Sequence, residues 1–180
     1  MVHSMTSDVF FEFKYNKDFT VKSPVIFNKE DFQSYNEIVT HEGGKTCLKN
    51  IMLINIDKIK DSLNLVPTPS SMDITFVVTK ISSSEKLEKR YLLADFKFNV
   101  TAPNKVHSNI SNDSIKEKFS FTKNLIDEKD GKIKCIDIAY FVFKNKNFEQ
   151  IKNSWKRRNL NSPKNFPVKQ ADFERLFEDK

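Results

Sequence analysis

Met72–Val78 (MDITFVV) and Tyr91–Val100 (YLLADFKFNV) both alternate with period two, the spacing at which a β-strand sends successive side chains to opposite faces. Ile74, Phe76 and Val78 share one side of the first run, and Leu92, Ala94, Phe96, Phe98 and Val100 share one side of the second. The polar connector, roughly Lys80 to Arg90, contains Ser82-Ser83-Ser84-Glu85 and predicts the loop of an antiparallel hairpin. With the turn centred near Ser84–Glu85, the numbers of opposing residues sum to about 168 to 170, the register that matches apolar face to apolar face. Asp73 then sits across from Asp95 or Lys97, at the ~5 Å of a direct cross-strand pair or the ~7 Å of its diagonal.

The odd-numbered face thus collects two carboxylates and a lysine, residue types that suit a divalent-metal site. Hard cations take carboxylate oxygens, and a bound ion both polarises a phosphodiester and acidifies water. Asp73, a hairpin, Asp95-Phe96-Lys97 as a D-x-K element, then a helix and another strand together resemble the PD-(D/E)xK nuclease superfamily over roughly Asn28 to Trp155. The resemblance implies a restriction-endonuclease-like core and cleavage of DNA. It also implies Asp73 and Asp95 as ligands of magnesium or manganese, with Lys97 positioning or deprotonating the attacking water. Met72 stands where the family often has proline, a position that is not a metal ligand. On this reading Asp95→Asn abolishes cleavage while folding is preserved or improved by relief of carboxylate repulsion.

Many members place a helical glutamate ahead of the hairpin, and the matching segment here is Lys29–Thr40. Asn28 is a candidate N-cap, Glu30 and Asp31 suit a first turn, and Phe32, Tyr35 and Val39 recur at helical spacing. Glu37 points nearly opposite that stripe, so it is expected in solvent. Glu42, in a His-Glu-Gly-Gly loop, is the remaining candidate.

The same residues carry two other readings. A strand that is apolar on one side and bears Tyr, Asp, Lys and Asn on the other is how a one-sided antiparallel sheet meets water, with Asp and Lys an ordinary cross-strand pair. That leaves a non-catalytic binding, immunity or regulatory protein with a protein partner. Against it, Tyr91 and Leu93 make one end of the polar face apolar, which predicts a covered sheet opening into a cleft at Asp95 and Lys97. The other reading is nucleic-acid binding without cleavage, through a basic cluster at Lys152, Lys156, Arg157, Arg158 and Lys164. A solvated helix face, partly neutralised by the acidic stretch Asp172 to Asp179, explains the same cluster.

Elsewhere, Val9–Tyr15 and Val21–Phe27 predict strands. Thr46–Leu63 carries a helical stripe at Leu48, Ile51, Met52, Ile56, Ile59 and Leu63, although Ile51–Ile56 also suits a buried strand. Ser111–Ile126 predicts a helix with Ile115, Phe119, Thr122 and Ile126 on one face, and Lys118 and Lys123 flanking it. Ile133–Lys144 predicts a strand buried on both faces for part of its length, with Asp137 either a further site residue or, the favoured reading, a hydrogen-bonded strand-end carboxylate. Phe148, Ile151 and Trp155 stripe a further helix, and Phe173, Leu176 and Phe177 a short last one.

The chain of 180 residues, with 17 phenylalanines and only 3 glycines, is expected to fold as one α+β domain. A mixed or largely antiparallel sheet flanked by helices is predicted, with a break at Ser162-Pro163-Lys164-Asn165-Phe166-Pro167 that sets off a C-terminal appendage over 162–180. No apolar run approaches the ~20 residues of a membrane span, so a cytoplasmic protein without membrane contact is expected. Cys47 and Cys135 lack metal-type spacing and are expected to be buried free thiols, and His3, His41 and His107 lack partners for a zinc or nucleophile site.

Overall fold

The computed structural model describes residues 13–16, 20, 27–80, 88–160 and 164–178. In chain order its elements are β1 (Phe13–Tyr15), β2 (Phe32–Ser34), α1 (Tyr35–His41), β3 (Met52–Asn55), α2 (Ile56–Ser62), β4 (Ile74–Lys80) and β5 (Glu88–Phe96). There follow α3 (Pro103–Asn109), α4 (Asn112–Lys129), β6 (Cys135–Phe143), α5 (Phe148–Arg157), β7 (Asn165–Lys169) and α6 (Gln170–Glu174). The fold is α+β, a single domain around one mixed sheet in the order β2-β3-β4-β5-β6-β7, with β1 sharing the edge of β4 that β3 occupies.

The central hairpin has the expected register. The numbers of β4 and β5 partners sum to 168, as in Ile74 opposite Ala94 and Thr79 opposite Lys89. The Ser82–Glu85 turn lies outside the described residues. Pairing ends at Phe96, four residues before the alternation does, because Val100 N–H donates to the Lys97 carbonyl at 3.1 Å and folds the chain over. β6 runs parallel to β5 and β7 parallel to β6, whereas the other pairs are antiparallel. Parallel neighbours need long crossovers, supplied by α3 and α4 before β6 and by α5 before β7.

Both faces of the sheet are covered. On one, Val77, Tyr91, Leu93, Phe141 and Phe143 pack with Ile115 and Ile126 of α4 and Ile151 and Trp155 of α5. On the other, Ile74, Phe76, Leu92, Ala94 and Phe96 pack with Tyr35 and Val39 of α1 and with Phe173, Leu176 and Phe177 near the C-terminus. The solvated one-sided sheet is therefore overturned: Leu93 and Asp95, on the supposed polar side, are wholly buried.

Several boundaries differ from expectation for identifiable reasons. The expected helix over Lys29–Thr40 is a 3-10 turn at Lys29–Asp31, then β2, then α1. Two successive capping boxes, Asn28 with Asp31 and Ser34 with Glu37, start separate elements. The helix expected over Thr46–Leu63 is β3 followed by α2, with Asn55 accepting from Lys58 N–H at the junction. The Phe-Pro break is β7, an outermost strand, where Pro167 has a place because an edge strand leaves some N–H positions unpaired. α3 was not anticipated, although Pro103 in its first turn is a start signal. Of the expected strand at Val9–Tyr15, Phe13–Tyr15 is described and is β1; 21–26 of the next lie outside the described residues. Cys135 is buried as expected, and burial pushes its thiol up to about 12; Cys47 is exposed.

Candidate active site

Asp73, Asp95 and Lys97 meet at the end of the central hairpin where β4 begins and β5 stops. Asp73 lies one residue outside β4, and three backbone or side-chain bonds fix it. Its N–H donates to Ala94 O at 3.1 Å, its carbonyl accepts from Ile56 N–H at 3.0 Å, and its Oδ2 accepts from Phe96 N–H at 2.5 Å. The carboxylate thus replaces the next rung of the ladder. Asp95 and Lys97, two residues apart, project to the face covered by α4, and Lys97 N–H is held by Val142 O of β6 at 2.8 Å.

The Asp95 carboxylate is completely buried, and its charge acts on Asp73. Lys97 Nζ donates to its Oδ2 at 2.6 Å, and Lys118 Nζ of α4 lies 3.4 Å from Oδ1 and 3.3 Å from Oδ2. Sequence reasoning set Lys118 beside the apolar face of its helix and assigned it no part in the site. The signal was its spacing, three residues after Ile115 and four before Thr122, both buried. Thr122 Oγ1 also accepts from Met72 N–H at 2.9 Å, which fastens α4 to the residue before Asp73. Proline at 72 has no N–H to make that bond.

The two carboxyl groups are driven apart in acidity. Burial, and then the neighbouring Asp95 charge, raise Asp73 well above the usual carboxylate range. Burial acts on Asp95 in the same direction, but the charges of Lys97 and Lys118 outweigh it and hold Asp95 below that range. Lys118 is raised, since Asp95 and Asp73 more than offset its own desolvation. The opposite shifts make Asp73 the carboxyl that takes up a proton first and Asp95 the one that stays ionised.

The glutamate candidates stand elsewhere in role. Glu37 is exposed and accepts from Ser34 N–H at the start of α1, while Glu42 lies 3.3 Å from exposed His41. Among the described residues no group of three or more His, Cys, Asp or Glu side chains is arranged to hold a metal ion. Two carboxylates still suit magnesium, which is commonly held by one or two of them with water and substrate phosphate oxygens completing the shell.

The basic cluster divides. Lys156 and Arg157 are exposed on α5, and Lys152 Nζ lies 6.0 Å from the centre of the Phe148 ring. Arg158 Nη1 donates at 2.5 Å to both Val106 O and Ile110 O, tying down the end of α3. Lys164 Nζ lies 3.9 Å from Asp137, whose exposed carboxylate is also 3.6 Å from Lys123. Trp155 is core, tilted against Phe141 and edge-on to Phe143. No helix among the described residues is long and apolar enough to cross a membrane. No protein-family model, curated protein or solved structure matches this chain.

Proposed function

We propose that the chain is a metal-dependent phosphodiesterase of the PD-(D/E)xK kind that cuts DNA. The observation that carries this reading is the buried Asp95 carboxylate, gathered with Asp73, Lys97 and Lys118 at one end of the hairpin. The chain order α1, β3, α2, the β4-β5 hairpin, α3, α4 and β6 supports it, since the resemblance implies a helix, then the acidic hairpin, then a helix and another strand. Asp73 and Asp95 would hold magnesium or manganese. When bound, the ion supplies Lewis-acid polarisation of the phosphodiester and favours hydroxide near neutral pH. Lys97 orients the attacking water from its place against Asp95, and the apolar packing of Leu93 and Ile115 keeps bulk water from the carboxylates. Lys156 and Arg157 offer phosphate contacts that do not depend on base sequence.

The test is cleavage of single- and double-stranded DNA in magnesium and manganese by the wild type beside Lys97→Ala. Cleavage that falls steeply in Lys97→Ala, with manganese affinity kept, supports the assignment. Folded wild-type protein that neither binds manganese nor cuts either substrate overturns it. One observation favours a second reading, a non-catalytic binding or regulatory protein: Asp95 is already neutralised by two lysines and needs no ion. That second reading expects every site variant to change stability alone.

A further inference from the structure

The two lysines on Asp95 are not equivalent. Lys97 Nζ makes one contact with the carboxylate, 2.6 Å to Oδ2, just below the ~2.7–2.9 Å usual for an ammonium on a carboxylate. Lys118 Nζ instead straddles both oxygens at 3.3 and 3.4 Å, too long for a strong bond to either. It stands on the side of the buried carboxylate that both oxygens face, the side a cation engaging both would take. Magnesium takes oxygen ligands at ~2.1 Å and carries twice the charge, so an ion held on Asp95 would displace the more distant Lys118 before Lys97. The displaced ammonium is on a flexible four-carbon stem, and its side chain is 22% exposed, so it has a route outward. The bond from Met72 N–H to Thr122 fastens α4, and with it the Lys118 backbone, beside the hairpin end.

We infer that Lys118 is a working residue of this site, a stand-in cation on Asp95 when no metal is bound and a clamp on a substrate phosphate oxygen when one is. The inference rests on the phosphodiesterase reading. It assigns the substrate-phosphate contact to α4, separately from the water-orienting role of Lys97. A lysine that only neutralises Asp95 would instead stay in place in every state.

Full-length wild type is to be compared with Lys118→Gln and Lys118→Arg in three measurements. These are calorimetric manganese affinity, kcat and KM on duplex DNA, and the salt dependence of binding to a nuclease-resistant phosphorothioate duplex in manganese. Lys118→Gln is expected to bind manganese at least as tightly as wild type, because a competing positive charge is gone. Its turnover falls by about 10²-fold, and the slope of log affinity against log salt falls by about one. Lys118→Arg restores the slope. Should the glutamine variant fail to fold, Lys118→Met keeps the stem without the charge and is read in the same way. Unchanged kcat, KM and salt slope in a folded neutral variant, or loss of its manganese binding, overturns the role of Lys118 while leaving the wild-type activity standing. Wild type that binds no manganese and cuts no DNA overturns the underlying reading and this inference with it.

Discussion

The two faces of the central sheet solve one burial problem in different ways. Under α1 and the C-terminal turns, Phe76, Phe96, Tyr35, Phe173 and Phe177 pack ring against ring, with centroids 5.2 to 6.4 Å apart. Under α4, a strand equally deep in the molecule carries Asp95, and a charged cluster takes the place of another apolar side chain. Burying charges is favourable only when partners and geometry are very good, and apolar replacements of such clusters are often neutral or stabilising. The aromatic face is explained by folding alone. The charged face has a composition that stability does not require, which is why function is sought there.

The largest expected effect breaks the charged face at its centre. Asp95→Asn leaves Lys97 and Lys118 facing a neutral amide, so stability falls by about 3 kcal/mol in urea denaturation. Cleavage in magnesium falls by on the order of 10³-fold. The geometry reverses the expectation, drawn from carboxylate repulsion, that this substitution preserves or improves folding: Asp95 is the carboxylate the lysines stabilise. Phe76→Ala on the aromatic face loses a similar 3–5 kcal/mol. Its folded fraction keeps wild-type manganese affinity, because the ring lies on the side of the sheet away from Asp95. Loss of manganese binding in folded Phe76→Ala would erase the distinction between the faces.

Relief of repulsion belongs to Asp73. A carboxyl group whose folded pKa is raised binds its proton more tightly folded than unfolded, so its contribution to stability declines as pH rises from its unfolded value toward its folded one. Asp73→Asn keeps an oxygen for Phe96 N–H and removes that liability. Its urea midpoint should exceed that of wild type at pH 7 to 8, with the difference vanishing toward pH 3. A midpoint lowered at neutral pH would mean that Asp73 is ionised and stabilising. Asp95, held low, contributes stability above its unfolded pKa, and loses it as pH falls through the folded one.

Much of this contrast was legible in the sequence, because strict alternation in MDITFVV and YLLADFKFNV fixes which residues share a face. Tyr91 and Leu93 announce a cover over one end of that face; what stayed hidden was that the cover extends over Asp95. Nothing in β5 itself announces that α4 will pack on Asp95; the information is in the phase of Ile115, Lys118 and Thr122, a helix and a loop away. The parallel partner β6 was expected as a strand, yet its direction follows from the crossover through α3 and α4 and not from its own residues. β3 was masked because Ile51, Met52, Ile56 and Ile59 satisfy a helical stripe and a strand-to-helix junction equally well, and only the bond between Asn55 and Lys58 N–H marks where one stops.

Away from the hairpin, Lys156 and Arg157 differ from Arg158 in a way their adjacency conceals. Neutralising Lys156 and Arg157 to Gln should flatten the salt dependence of DNA binding by about two, with folding unchanged. Arg158→Gln should instead lower stability by about 1 kcal/mol through the freed carbonyls of Val106 and Ile110, measured by thermal melting. A salt slope that responds to Arg158 as strongly as to the other two would contradict its tie to α3.

Calorimetric titration of manganese into the metal-free wild type, with Asp95→Asn titrated alongside, tests most directly the claim that this charged face is a metal site. One ion per chain binding to the wild type, and none to the folded variant, is the predicted result. Wild-type protein that is folded and takes up no manganese would contradict it and assign Asp95, Lys97 and Lys118 to a structural ion cluster.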